Sequence, residues 1–372
     1  MNFKFNVEEI LPYIKKAAAL IPNRPLSPIY ESFCIEVGVK DAYKLHITAG
    51  DGDNFVTYEC EIAHTDGSCV SFCVPAKKFL QALTSISRGE IVIDVDAETN
   101  TLQCSYETGS FSLPYMDASD YHGLAGNGQE TRRYANGSDI FKAVSSVEYA
   151  TANDLLRPQM GGVRMDFTSK ALIAVASDVQ KLARHIIGDY DESEEINGFT
   201  LSRKCASALC SACADAGEVK IDYADNYVKF RGEGWTLVSR LIEGRYPNYN
   251  AVIPKNIAYV VAIDKALLTK AIKRVLPFGS VASELVLLDL DGSIMHVSSK
   301  DYDMSMSAEC TIEMAGATPK PIRIGFKGSN LLQVLENLSG DEIVMEYDAA
   351  DRPVVFLGGT LALVMPMKID TL

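Results

Sequence analysis

No apolar run in the 372-residue sequence reaches the roughly 18 residues that a membrane-spanning helix needs. The opening stretch, MNFKFNVEEILPYIKKAAAL, has no basic segment leading into an apolar one, so no secretory leader is expected. GxxxxGKS/T, HExxH and GxSxG are all missing, which removes the usual phosphate-loop, zinc-protease and serine-hydrolase signatures. His46, His64, His122, His185 and His296 stand far apart, and DGDN at 51–54 lacks the downstream ligands of an EF-hand loop. The nine cysteines are odd in number and scattered through a long chain, so they are expected to be reduced thiols of a cytoplasmic protein. A zinc site would need Cys69 and Cys73 to meet Cys205, Cys210 and Cys213, and paired CxxC knuckles are missing. These absences point to a protein that is not an enzyme and carries no cofactor and no metal.

What is present is an internal repeat. PAKKFLQALTSISRGEIVIDV (75–95), LSRKCASALCSACADAGEVKIDY (201–223) and KGSNLLQVLENLSGDEIVMEY (327–347) each read as a helix, a Gly-acid pair and a strand. Leu83, Leu209 and Leu335 hold matching places, and Gly89, Gly217 and Gly340 are expected helix caps. A second helix opens each third, at 7–20, 138–152 and 264–276. Alternating stretches follow, breaking at TSK (168–170) and DGS (291–293). The expected architecture is therefore α+β in three similar domains, 1–129, 130–253 and 254–372. GRYPNYNAVIP (244–254) falls between the last two, a connector stiffened by Tyr and Pro. Asp51, Asp178 and Asp301 recur once per third. Recurrence suits a structural turn rather than one active site.

The net charge of −14 argues against a nucleic-acid binder until its distribution is considered. The six helix windows hold 13 Lys and Arg against 7 Asp and Glu; of the chain's 35 basic and 49 acidic residues, 22 and 42 lie elsewhere. In DKALLTKAIKRVL, helical geometry puts Leu267, Leu268, Ile272, Val275 and Leu276 on one face and Lys270, Lys273 and Arg274 on the other. In AKKFLQALTSISR, Phe79, Leu80, Leu83 and Ile86 form the apolar stripe, with Lys77, Lys78 and Arg88 opposite. Any one such face is ordinary solvated helix. The segregation across six points to a polyanion met by helix faces.

Three helix-strand-helix-strand thirds, NRPLSP near the start, GRYPNYNAVIP between the last two thirds and LVMPMKI near the end together resemble the bacterial β sliding clamp family, the processivity subunits of DNA polymerase III. The resemblance covers the whole chain. It implies the DNA clamp fold, with two chains in a head-to-tail homodimer that closes into a six-domain ring, helices inside and sheets outside. It implies double-stranded DNA held without sequence preference, and no catalysis. The implied partners are the replicative DNA polymerase, the clamp loader, and repair, translesion and mismatch-repair proteins that bring short linear motifs. A scaffold that binds proteins alone, without DNA, is the alternative.

The resemblance also carries residues. Arg24 of NRPLSP matches a DNA-contacting position, beside the charge-based candidates Lys77, Arg88, Lys270, Lys273 and Arg274. A peptide pocket between the second and third domains would use Met160, Gly162, Ser177, Val179, Gln180, Lys181, Leu182, Pro247, Val252, Leu363, Val364, Met365, Pro366 and Met367. Alternation places Leu363, Met365 and Met367 on one side of the last strand. The ring contact would join Phe111 and Leu113 to Leu276 and Phe278 of the partner copy. The chain departs from the family at 179–182, where Val-Gln-Lys-Leu replaces a frequent Gly-His-Arg-Leu, at Ala251, where Arg is frequent, and in its extra Asp370–Leu372.

Overall fold

The computed structural model describes residues 2–25, 27–39, 43–62, 64–65, 69–124, 130–154, 156–191, 193–194, 196–255 and 257–369. Leu26 of NRPLSP and the Asp370–Leu372 extension lie outside them. Each of the six expected helices forms: α1 (Val7–Ala18), α2 (Ala76–Ile86), α3 (Gly137–Ser145), α4 (Arg203–Cys213), α5 (Lys265–Val275) and α6 (Gly328–Asn337). α3 is shorter than expected, because Glu148–Ala150 tightens into a 3-10 turn. Asn6 and Asp264 start α1 and α5 by accepting the backbone N–H of Glu8 at 3.2 Å and of Leu267 at 2.8 Å.

The buried stripes are narrower than the sequence suggested. α5 buries Leu268, Ala271, Ile272 and Val275, while Leu267 is 46% exposed and Leu276 is half-buried. At 100° per residue, both leucines lie about 90° from the stripe's centre. α2 buries Ala76, Phe79 and Leu83, and leaves Leu80 and Ile86 at its flanks. α4 buries Cys205, Cys210 and Cys213 as small apolar residues, and burial pushes the Cys205 and Cys213 thiols up to about 12. Among the described residues, no group of three or more His, Cys, Asp or Glu could hold a metal. Gly89 and Gly340 take φ of +95° and +87° after α2 and α6, a conformation that costs glycine least. Gly217 does not share it.

The fold divides into two units, residues 1–141 with 204–241, and residues 142–203 with 242–372. This division cuts across the expected thirds. The reason is that sheets run through the boundaries. In the first unit, Asn54–Glu61 pairs with Trp235–Arg240, so a strand of the first third hydrogen-bonds to one of the second. In the second unit, Lys181–Gly188 pairs with Leu361–Val364, joining the second third to the last. The two joints share one backbone bond. The N–H of Arg240 donates to the carbonyl of Asp53 at 2.8 Å, and that of Met365 donates to the carbonyl of Gln180 at 2.8 Å.

Asp51 and Asp178 sit at these joints, and all three recurrent aspartates are turn residues. Asp51 Oδ1 accepts from the N–H groups of Asp53 and Asn54, and Asp178 Oδ1 from those of Gln180 and Lys181. Asp301 Oδ1 accepts from Met304 at 3.0 Å. A side chain from the second helix of the following third reaches the first two turns. Lys204 of α4 donates to Asp51 Oδ2 at 2.7 Å, and Asn330 of α6 bonds Gln180 Oε1 at 2.9 Å and Lys181 Nζ at 3.3 Å. Burial alone would raise the Asp51 carboxyl, but Lys204 and Asn54 together hold it below the usual range.

The connector's aromatics are core residues. Tyr246 and Tyr249, 8% and 7% exposed, pack with Ile173, Val175, Leu182, Val355 and Leu363, which belong to the strands on both sides of the second joint. The Tyr249 hydroxyl donates to Asp166 Oδ2 at 2.9 Å, and Arg164 holds the other oxygen at 2.6 Å. Burial first, then the Asp166 charge, raises the Tyr249 phenol pKa. Tyr249→Phe keeps the packing and strands one oxygen of a buried carboxylate. A loss of about 1–3 kcal/mol is expected, read as a lower urea midpoint with an unchanged slope.

Candidate functional site

A cavity of about 330 Å³ opens in the second unit. Three segments wall it. The first is the turn Pro158–Met160, which supplies Gln159 and Met160, with Arg157 beside it. The second is the hairpin turn between Ala171–Ser177 and Lys181–Gly188, which supplies Ser177, Val179, Lys181 and Leu182. The third is the connector with Tyr246, Pro247, Asn248, Tyr249 and Val252; Leu363 and Met365 close the floor. Two wider hollows, of about 760 and 440 Å³, are lined by charged residues such as Arg88, Glu90 and Glu107, or Lys255, Glu346 and Arg352. The smaller cavity is the one whose walls are mostly apolar with a few fixed polar groups, as recognition sites are.

The hairpin turn is built tightly. Ser177 Oγ donates to the Lys181 carbonyl at 2.9 Å and accepts from the Val179 N–H at 3.3 Å. Lys181 is only 5% exposed, and its ammonium is neutralised by Asp178 at 2.5 Å. Val179 sits at the turn's tip with φ +78° and half its surface exposed. For a β-branched residue this conformation is strained. The related pattern, with glycine here, has no such strain. Val179→Gly is therefore expected to raise stability by about 1 kcal/mol, measured as a higher denaturation midpoint.

Of the fourteen expected pocket residues, the structure brings together Met160, Ser177, Val179, Lys181, Leu182, Pro247, Val252, Leu363 and Met365. The other five lie elsewhere. Gly162 starts a buried strand, where an added Cβ would come within 2.0 Å of the Leu201 carbonyl oxygen. Gln180 points to Asn330, and Val364 is buried in the core of the last third. Pro366 follows the end of the strand Leu361–Val364, and Met367 donates its N–H to Gly325. The expected alternation through Met367 fails because the strand stops at Val364, ahead of a proline that has no N–H for a ladder. Arg157 and Gln159 line the cavity without having been expected, and Tyr246, Asn248 and Tyr249 of the connector line it too.

The basic candidates Arg24, Lys77, Arg88, Lys270, Lys273 and Arg274 are all exposed. Lys273 is tied to Glu336 of α6 at 2.7 Å, with both side chains about half exposed, so the pair adds little stability. Phe111 and Leu113 lie on Gly109–Pro114, the last strand of a five-stranded sheet. Leu276 and Phe278 form a turn after α5, and Phe278 is 43% exposed.

Three family models match the chain in order: the N-terminal domain of the DNA polymerase III beta subunit over residues 1–125, its central domain over 135–248 and its C-terminal domain over 250–359. Among curated relatives, the beta sliding clamp of Haemophilus influenzae is 21% identical over 93% of this chain and 92% of its own length. That of Proteus mirabilis is 22% identical over 99% of this chain and all of its own. Among solved structures, a sliding clamp from Pseudomonas aeruginosa bound to griselimycin superposes with a TM-score of 0.91 at 19% identity, covering 99% of this chain and 100% of that one. One from Bacillus subtilis gives 0.88 at 18% identity, covering 99% of each.

Proposed function

We propose a function from one premise: this chain belongs to the DNA polymerase III beta subunit family, whose three domain models it matches in sequence order. It acts as a DNA sliding clamp that confers processivity on a polymerase. The observation that carries this is the run of three clamp-domain models along residues 1–359; the repeat boundaries that go with this reading are 1–129, 130–253 and 254–372.

The finer reading is a head-to-tail homodimer closed into a ring around duplex DNA in the cytoplasm. The chain performs no chemistry of its own. Arg24, Lys77, Arg88, Lys270, Lys273 and Arg274 meet phosphates rather than bases, so the ring holds DNA without fixing its position. Retention is topological, so weak contacts suffice and sliding follows. The cavity between the hairpin turn, the connector and Met365 takes a short peptide with a leucine anchor. The polymerase, the clamp loader and repair, translesion or mismatch-repair proteins present such peptides. Met160 and Met365 adapt to different ligands.

The test is retention on nicked circular DNA. The protein is expected to stay on the circle only after incubation with a clamp loader and ATP, and to leave when the circle is linearised. Retention that ignores linearisation, or needs no loader, would overturn encirclement. Neutralising Lys270, Lys273 and Arg274 together is expected to shorten residence on the DNA and to flatten its salt dependence, with no change in base preference.

A further inference from the structure

We infer that the sheet face formed by Thr131–Asn136, Glu218–Tyr223 and Tyr227–Gly232 is a second nucleic-acid surface, one that takes single-stranded DNA. These three adjacent strands end the nine-stranded sheet of the first unit. Their buried residues, Val219, Ile221, Val228 and Phe230, face the core. Alternation puts Arg132, Tyr134, Lys220, Asp222, Lys229 and Arg231 on the opposite face.

The arrangement there is unusual for a chain of net charge −14. Asp222 is fully buried and accepts from Arg132 Nε at 2.6 Å and from Arg231 Nη1 at 2.7 Å, with Lys220 Nζ at 3.5 Å. Burial alone would raise its carboxyl, but the three cations hold it below the usual range. One carboxylate thus fixes three cations that remain 51%, 35% and 28% exposed, Arg132, Arg231 and Lys220 in turn. Lys229 makes a fourth on the same face, which also carries the exposed Glu218, so the cations outnumber the carboxylates there four to two. At the rim, Glu130 is engaged by the Tyr227 hydroxyl at 2.5 Å.

The aromatic decides the occupant. Tyr134 is 56% exposed, directly across the ladder from Lys220 and two residues from Arg132, about 7 Å along the strand. A flat sheet that offers an open ring beside fixed guanidinium groups suits unpaired bases and their phosphates. An acidic peptide would use the cations and leave the ring idle. Duplex DNA has no free base face for the ring to stack on.

The probe is a fluorescein-labelled 12-nucleotide oligothymidylate, titrated with the full chain at 50 and 200 mM salt and read by anisotropy. Two variants leave the partners of Asp222 in place: Tyr134→Ala and Lys229→Gln. Tyr134→Ala is expected to weaken binding about tenfold, the effect of one lost base stack. Lys229→Gln should lower the salt slope by about 0.7, one phosphate contact. Arg24→Ala and the triple change of Lys270, Lys273 and Arg274 should leave this affinity unchanged, which separates the face from the duplex contacts. No binding by wild type at 50 mM salt overturns the proposal. So does loss of binding in the duplex-contact variants with the face variants unaffected. Insensitivity to Tyr134→Ala, with polyglutamate competing as well as the oligonucleotide, would assign the face to an acidic protein segment instead and likewise overturns it.

Discussion

Phe278→Asp is expected to convert the proposed dimer to monomers, with the dissociation constant rising on the order of a hundredfold or more. The joints within the chain supply the reasoning. In the second and last thirds, the second strand of the final hairpin, Trp235–Arg240 or Leu361–Val364, pairs with a strand of the preceding third. The matching strand of the first third is Gly109–Pro114, and among the described residues it pairs within its sheet on one side only. A strand open along one edge invites another chain. Phe111 and Leu113 share one face of it, half-buried, and Phe278 with the 89% exposed Val281 offers apolar surface near the start of the last third. A carboxylate placed in that contact would have to be desolvated without a partner. Sedimentation velocity at micromolar protein reads the outcome. Phe278 is already 43% exposed in the single chain, so the variant should fold normally. A dimer that persists would place the ring contact elsewhere. Leu276 would make a poorer test, because it also packs on the core of its own third.

Val252→Glu is expected to abolish peptide binding in the cavity. Val252 lines the opening yet is 52% exposed, so a charge there costs the fold little. In the bound state the same carboxylate would face a leucine among Met160, Leu182 and Leu363. Wild type should bind a leucine-containing clamp-loader or polymerase tail peptide at micromolar strength, about −8 kcal/mol. The variant should lose at least about 3 kcal/mol, more than a hundredfold, which removes the calorimetric signal at ordinary concentrations. An unchanged thermal midpoint shows that the fold survives. Equal heats for both proteins would mean that the peptide sits somewhere else.

Much of this architecture could be read from the chain, and the parts that could not share a physical cause. The helices were legible because apolar residues recur at their period, although Leu267 shows that period alone does not fix how wide the buried stripe is. The turn role of Asp51, Asp178 and Asp301 followed from their recurrence. The two cross-third ladders left no local trace, since Trp235 and Tyr58 pair from distant parts of the sequence. The division into two units was hidden for the same reason. Pocket residues such as Ser177 and Val252 were found by resemblance, because nothing in their local pattern marks a cavity. Tyr246 and Tyr249 were visible as unusual, but whether a tyrosine walls a groove or fills a core depends on strands far away in sequence. Here both do each.

The two joints share a backbone bond and differ in their fastening. At one, Lys204 meets Asp51 as a full ion pair whose lysine is 37% exposed. At the other, Asn330 presents an amide to Gln180 and to a lysine whose charge Asp178 already cancels. Salt screens the first and barely touches the second. One polypeptide therefore carries a seam that ionic strength loosens and a seam that it does not. Amide hydrogen exchange along Asn54–Glu61 should quicken with added salt while Lys181–Gly188 keeps its protection, which gives the molecule a preferred place to yield.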